Sequence, residues 1–184
     1  MTAVRPAHEV RIIGGSWKRS KLPVADKPGL RPTPDRVRET LFNWLGQDLS
    51  GWHCLDAFAG SGALGFEAAS RGAAQVVLLE TDRTLVRSLQ ATQGRLGASA
   101  VRVECADALG WLARAPADSF DLAFIDPPFD TDLAAGALQA TLRLMRANAY
   151  IYLESRSPLA AAPLGWAIHR QSRAGQVHFH LLSR

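Results

Sequence analysis

The chain has 184 residues, 47% apolar and 21% charged, which is enough for one domain with a full core and too apolar for a disordered chain. Residues 1–43 hold nine of the 21 Lys/Arg and four of the 17 Asp/Glu, net +5, and the remainder holds 12 against 13, net −1. The excess positive charge is confined to one end, which suits a polyanionic partner. No apolar run is long enough to span a bilayer. The first ten residues mix Arg5, His8 and Glu9 and do not read as a signal peptide, so the expected location is the cytoplasm. Cys54 and Cys105 are too few for a disulfide scaffold and lack zinc-site spacing.

Val10–Ile13 and Trp17–Leu22 flank Gly14-Gly15 and predict a small hairpin. Pro23 to Thr33 carries three prolines and a glycine and reads as a linker. A helix follows, with Thr33 as its N-cap and Pro34 at its first position. Val37, Leu41, Trp44 and Leu45 recur on one of its faces. From Trp52 onward strands and helices alternate. Strands are predicted at His53–Ala57, Gln75–Leu79, Val101–Glu104, Phe120–Ile125 and Ala149–Glu154. Helices are predicted from Gly62, over Arg83–Leu96, through Trp111, and over Leu133–Met145. Such alternation implies an α/β fold, a parallel sheet covered by helices on both faces. Trp166–Arg173 and Gln176–Leu182, joined by Ala174-Gly175, predict an antiparallel hairpin at the sheet edge.

The first strand of that run leads into Asp56-Ala-Phe58-Ala-Gly60-Ser-Gly62-Ala-Leu-Gly65. This Gly-x-Gly-x-x-Gly lies where a ligand approaches the backbone and side chains would block it. Alone it suggests a dinucleotide site. Glu80, at the tip of the second strand, suits two ribose hydroxyls and does not separate a dinucleotide from S-adenosylmethionine. Asp56 does separate them: a carboxylate beside the glycine turn repels a pyrophosphate and favours a cationic amino group. Asp107, in Cys105-Ala-Asp107-Ala108, is placed to accept from an adenine amine, or simply to cap a helix.

Asp126-Pro127-Pro128-Phe129 ends the fourth strand, at the edge where open α/β sheets bind ligands. An exocyclic base amine is a poor nucleophile because its lone pair is delocalised into the ring. Two acceptors on its N–H groups favour a pyramidal nitrogen and free that lone pair. The Asp126 carboxylate is one acceptor. The Pro127 carbonyl is a second, in a backbone stiffened by two prolines. Phe129 offers a face on which an extruded base stacks. The principle is positioning together with charge aimed at the reacting centre.

Together these motifs resemble the class I amino-methyltransferases with a (Asp/Asn/Ser)-Pro-Pro-(Phe/Tyr) signature. Arg11-Ile-Ile-Gly-Gly-Ser-Trp-Lys-Arg19, Arg31-Pro-Thr-Pro-Asp-Arg-Val-Arg-Glu-Thr-Leu-Phe-Asn-Trp44 and Arg173-Ala-Gly-Gln-Val177 narrow the resemblance to one family within the class. It is the RsmD family, bacterial 16S rRNA (guanine(966)-N(2))-methyltransferases. The resemblance implies a Rossmann-like fold with a seven-stranded, mostly parallel sheet, an antiparallel C-terminal hairpin and a small N-terminal hairpin extension. It implies methyl transfer from S-adenosyl-L-methionine, without a metal, to guanine N2. The partner is 16S rRNA in the small ribosomal subunit or its assembly intermediate, with no membrane, and the protein is expected to be a monomer. By the same resemblance Thr33, Arg36 and Arg38 lie over the methionine end of the cofactor. The expected cofactor set is Thr33, Arg38, Asp56, Phe58, Gly60, Gly62, Glu80, Asp107 and Ala108. Residues 1–30 are expected to form the RNA-docking extension and 31–184 the methyltransferase domain. Arg11, Trp17, Lys18, Arg19, Lys21 and Arg36 are the RNA-binding candidates, the cations contacting phosphates without reading sequence.

His178 and His180 share a strand face but lack a third ligand nearby, so no metal site is expected. Three other functions compete. One is another amino-methyltransferase, acting on DNA adenine N6 or protein glutamine N5, which the basic Lys18-Arg19-x-Lys21 cluster helps to discriminate. The second is an NAD-linked dehydrogenase, disfavoured by Asp56 and Asp-Pro-Pro-Phe. The third is a non-enzymatic RNA-binding protein, disfavoured by intact Asp56, Glu80, Asp107 and Asp126.

Overall fold

The computed structural model describes residues 8–27, 32–128 and 132–184. Two short strands open it, β1 (His8–Arg11) and β2 (Lys21–Val24), paired antiparallel. Then come α1 (Asp35–Trp44), β3 (His53–Asp56), α2 (Ala63–Ser70), β4 (Gln75–Glu80), α3 (Arg83–Leu96), β5 (Val101–Cys105), α4 (Ala108–Arg114), β6 (Phe120–Ile125), α5 (Leu133–Leu142), β7 (Met145–Ser155), β8 (Ala167–Ala174) and β9 (Val177–Ser183). The last seven strands form one sheet in the order β5-β4-β3-β6-β7-β9-β8. β5 through β7 are parallel, and β9 joins β7 and β8 antiparallel. The expected α/β architecture, with its C-terminal and N-terminal hairpins, is therefore present.

The inner strands β3, β4 and β6 and the second half of β7 are buried on both faces, and their period of two sorts side chains into two cores. Cys54, Val76, Leu78, Leu122, Phe124 and Tyr152 face α1, α2 and α3. Leu55, Val77, Leu79, Ala123, Ile125, Ile151 and Leu153 face α4 and α5. Strand order reverses between β3 and β6, which opens a crevice above the carboxyl ends of these strands.

Both arms of the N-terminal hairpin, the α5–β7 junction and the cap of α1 differ from the sequence expectation, and the first arm is His8–Arg11 rather than Val10–Ile13. The second arm of the N-terminal hairpin is Lys21–Val24 rather than Trp17–Leu22. Residues 12–20 are instead drawn onto the end of α2, where Ser16 N–H donates to the Ser70 carbonyl at 2.7 Å. Pro23 is tolerated within β2 because a two-stranded ribbon leaves its other edge unpaired. The helix α5 stops at Leu142, because Met145 already pairs with Phe120 and opens β7. Finally, Pro34 and not Thr33 occupies the cap position of α1, and it makes no side-chain cap. The Thr33 hydroxyl has other partners.

The hairpin also shares a core with the sheet. Val10, Ile12, Leu22 and Val24 are buried in the same cluster as Val37, Leu41, Phe42 and Phe66. Glu67 on α2 anchors it, accepting from the N–H groups of Ile13 and Gly14 at 2.8 Å each. Gly15, at φ 74°, lies against Ser70 so closely that a Cβ would overlap the Ser70 carbonyl. The Gly14-Gly15 pair thus serves docking on α2 as much as turning.

Candidate active site

Register explains the site. β4, β3, β6 and β7 are neighbours in the sheet, and each ends in an acid on the face shared by Leu78, Cys54, Phe124 and Tyr152. Two residues beyond those four positions come Glu80, Asp56, Asp126 and Glu154. A row of four carboxylates therefore crosses the carboxyl edge of the sheet on one face.

A cleft of about 220 Å³ opens there, lined among others by Thr33, Phe58, Gly60, Glu80, Asp107 and Asp126. Asp56, Ala108, Pro127 and Pro128 also line it. Gly62 sits just behind, at φ 79°, as the cap residue of α2. A side chain on Gly62 would strike Phe66 and Leu89.

Each acid has a distinct environment. Asp56 is 1% exposed. Its Oδ2 accepts from Gly65 N–H at 3.1 Å, the Phe58 N–H also donates to the carboxyl, and Oδ1 is buried with no partner. Burial pushes its pKa up to about 7, against those two backbone hydrogen bonds and with a small push from Glu80. Glu80 braces the glycine turn, accepting from Gly60 N–H at 3.0 Å and Asp82 N–H at 2.9 Å. Those two bonds leave acceptor capacity on both oxygens. Asp107 caps α4 by accepting from Gly110 N–H at 2.7 Å, so capping and a position on the cleft wall coexist.

Asp126 is half-buried, and burial, then Glu154, then Asp56 hold its carboxyl well above the usual range. The Thr33 hydroxyl lies 3.3 Å from Asp126 Oδ2 and 3.4 Å from Glu154 Oε1, so its single proton serves either one. Tyr152 donates to Glu154 Oε1 at 2.6 Å. Sequence reasoning passed over Glu154 and Tyr152. The signal was there: Tyr152 and Glu154 alternate at the end of a buried strand, and an acid closing such a strand needs a partner.

The remaining candidates lie away from the acids. Arg38 is fully buried and does not line the cleft. It donates to the carbonyls of Thr33 and Arg11 and to Asp35 and Glu67, tying α1 to the hairpin and α2. The expectation that Arg38 reaches the cofactor is corrected: its hydrogen bonds are directed into the core. Arg36, Arg11, Lys18 and Arg19 are exposed, Trp17 is half-buried against the core, and Lys21 pairs with Glu9 at 2.7 Å. Phe129 lies outside the described residues. Lys27 forms an ion pair with Asp82, the cap of α3, beside the tip of β4.

Residues 10–183 match the family model described as conserved hypothetical protein 95. Ribosomal RNA small subunit methyltransferase D of Escherichia coli (strain K12) is 45% identical, over 96% of this chain and 90% of that protein. The protein of the same name from Haemophilus influenzae is 42% identical over 94% and 93% of the two chains. The solved structure of the Escherichia coli protein yhhF superposes with a TM-score of 0.86 at 40% identity, covering 96% of this chain and 98% of that one.

Proposed function

Because the chain belongs to the conserved hypothetical protein 95 family, the RsmD family its motifs resemble, we propose that it methylates a guanine of 16S rRNA at the exocyclic N2. S-adenosylmethionine is the methyl donor, and the substrate is the small ribosomal subunit or its assembly intermediate. One observation carries the reading: a buried carboxylate with an unpartnered oxygen, Asp56 Oδ1, stands in a row of acids beside Asp126-Pro127-Pro128.

The residues fit such a cofactor. Removing a carboxylate oxygen from water without a partner is costly, and a ligand ammonium would relieve that cost. The acids that line the cleft repel a pyrophosphate and attract a cation, which argues against a dinucleotide. In this reading Asp56 holds the ammonium of the methionine portion, Glu80 accepts from the ribose hydroxyls and Asp107 from the adenine amine. Phe58, Gly60 and Ala108 shape the walls, with Gly62 behind them, and Thr33 closes the methionine end. When bound, S-adenosylmethionine supplies an electrophilic methyl group on a sulfonium.

The chain does the rest. Ionised Asp126 and the Pro127 carbonyl accept the two amine N–H groups and orient the nitrogen lone pair, and the Asp126 carboxylate later takes up the proton that the nitrogen gives up. Pro128 stiffens this turn, and Phe129 stacks on the base. Arg11, Lys18, Arg19, Lys21 and Arg36 contact phosphates, with Trp17 among them, so residues 1–30 act as the docking extension of a domain spanning 31–184. The protein acts as a monomer in the cytoplasm.

The test is mass-spectrometric mapping of methylated nucleosides in ribosomal RNA treated with the parent or with Asp126→Ala. The parent should add N2-methylguanosine. The variant should lose about a hundredfold or more in rate while it still binds S-adenosylmethionine within about tenfold of the parent by calorimetry, a shift of about 1.4 kcal/mol or less. Methyl groups found only on adenine N6 would overturn the guanine assignment. A variant that keeps most of its activity would remove Asp126 from the chemistry.

A further inference from the structure

Asp126 and Glu154 are neighbours by register. Phe124 pairs with Tyr152 and Ile125 with Leu153, so the next rung sets the two carboxyls side by side. The Thr33 hydroxyl lies 3.3 Å from Asp126 Oδ2 and 3.4 Å from Glu154 Oε1, so the two carboxyls meet around one hydroxyl. Two carboxyls held this close do not readily ionise together, which favours one proton kept on the pair. Thr33 and Tyr152 both present hydroxyls to the pair and bring no charge.

Arg156, two residues past Glu154, has an interaction of its own. From α1, Arg38 reaches only the Thr33 carbonyl and otherwise serves Arg11, Asp35 and Glu67. From β9, Glu154 faces Phe179, while His180 and His178 pair with Leu153 and Ser155 and lie on the opposite sheet face. From β3, Asp56 adds a further negative charge, and Glu80 of β4 acts on Asp56 in turn. Lys27 is held by Asp82 beyond the tip of β4.

We propose that Glu154 is a positioning residue of the chemical site: it holds a proton on Asp126 in the free protein, and a cationic cofactor arms Asp126 as the amine acceptor by expelling that proton. This rests on the reading of the cleft as an S-adenosylmethionine site. In the step, the Asp126 O–H bond breaks, the proton leaves to solvent through the open side of the cleft, and the electron pair stays on the carboxylate. The added negative charge is balanced by the cation that has entered, and no bond of the cofactor changes. Asp126 is thus an acceptor only when the methyl donor is in place, and the free site avoids setting an anion beside the buried Glu154 carboxyl. Burial raises both carboxyls, and Glu154 and Asp56 raise Asp126 further, while the contacts of Glu154 with Tyr152, Asp126 and Thr33 hold Glu154 lower, so the proton sits on Asp126.

Calorimetric titration of S-adenosylmethionine at pH 7, in buffers of different ionisation enthalpy, counts the protons released. At pH 7 Asp56, which titrates at about 7, itself yields about half a proton when the ammonium binds, so the parent should release about one and a half protons per cofactor, and its affinity should rise with pH. S-adenosylhomocysteine, which keeps the ammonium and lacks the sulfonium charge, should release fewer. Glu154→Gln keeps the hydrogen-bonding shape but not the charge, so Asp126 holds its proton less tightly before the cofactor enters. Proton release should fall by half or more while binding persists, an effect that a purely structural role would not produce. If that variant does not fold, Asp126→Asn gives the same readout and the same expected loss. Binding by the parent with no more than about half a proton released, the share of Asp56, overturns the proposal alone. An unchanged proton count in Glu154→Gln, or in Asp126→Asn where it stands in, does the same. Failure of the parent to bind S-adenosylmethionine at any pH overturns the cofactor reading, and the proposal with it.

Discussion

Glu67 and Asp56 are both shut away from solvent, one on α2 and one at the strand tip that leads into it, and their surroundings are opposite. Glu67 receives two backbone N–H groups and two guanidiniums, from Arg38 at 3.3 Å and Arg71 at 2.8 Å. Asp56 receives backbone N–H groups on one side, has an oxygen with no partner on the other, and meets no cation among the described residues. A buried carboxylate whose charge is matched holds elements together. One that is unmatched raises its own pKa and is poised for a ligand that brings the missing charge.

The comparison breaks most sharply at Glu67. Glu67→Ala leaves two buried guanidiniums without their shared anion and releases the loop at residues 12–20. It should cost about 3–5 kcal/mol of unfolding free energy in urea melts. A loss below about 1 kcal/mol would mean that the pairs are as dispensable as exposed ones.

Asp56→Asn should act the other way on the free protein. Asp56 titrates at about 7 when folded, above its ordinary 3.8, so the folded state prefers it protonated. That contribution is fully present below pH 4 and is lost as pH rises through 7. At pH 8 the burden is of order a few kcal/mol. Asn removes it, so the variant should gain roughly 2 kcal/mol over the parent at pH 8, with a shallower fall between pH 5 and pH 8. Its affinity for S-adenosylmethionine should drop on the order of tenfold or more. Urea melts at the two pH values, with calorimetry, check both, and parallel stability–pH curves would refute the assignment.

The smallest effect on stability belongs to the exposed cations. Changing Lys18, Arg19 and Lys21 together to Ala removes one surface ion pair, Lys21 with Glu9. It should shift stability by about 1 kcal/mol or less. Binding to the ribosomal substrate should weaken, with the salt slope flatter by about 0.7–0.9 for each phosphate that is no longer neutralised. A slope identical to the parent's would show that these side chains meet no phosphate.

Much of the fold and site was legible in the chain itself. The apolar run Val76–Leu79 and the strand Phe120–Ile125 announced themselves because burial on both faces demands continuous apolar residues. Asp56, Glu80 and Asp126 were found because each stands where a strand gives way to a turn, and for Asp56 and Asp126 that turn is marked by glycines or prolines. Thr33 was assigned by the usual habit of a threonine before a proline-led helix. In the fold it turns to the carboxyls of Asp126 and Glu154 instead, an attraction that local sequence does not show.

Periodicity, turn chemistry and charge are set by residues near one another in the chain, so strand alternation, the glycine turn and the acids at the strand tips were determined by sequence. Partnerships across the sheet were not. Which strand neighbours β6, and in what register, depends on how all the elements pack. Only the tertiary structure set Glu154 beside Asp126, withdrew Arg38 from the cleft and matched Glu67 with two arginines. The cost of a buried charge is decided by what surrounds it in space, and that is fixed only when the chain has folded.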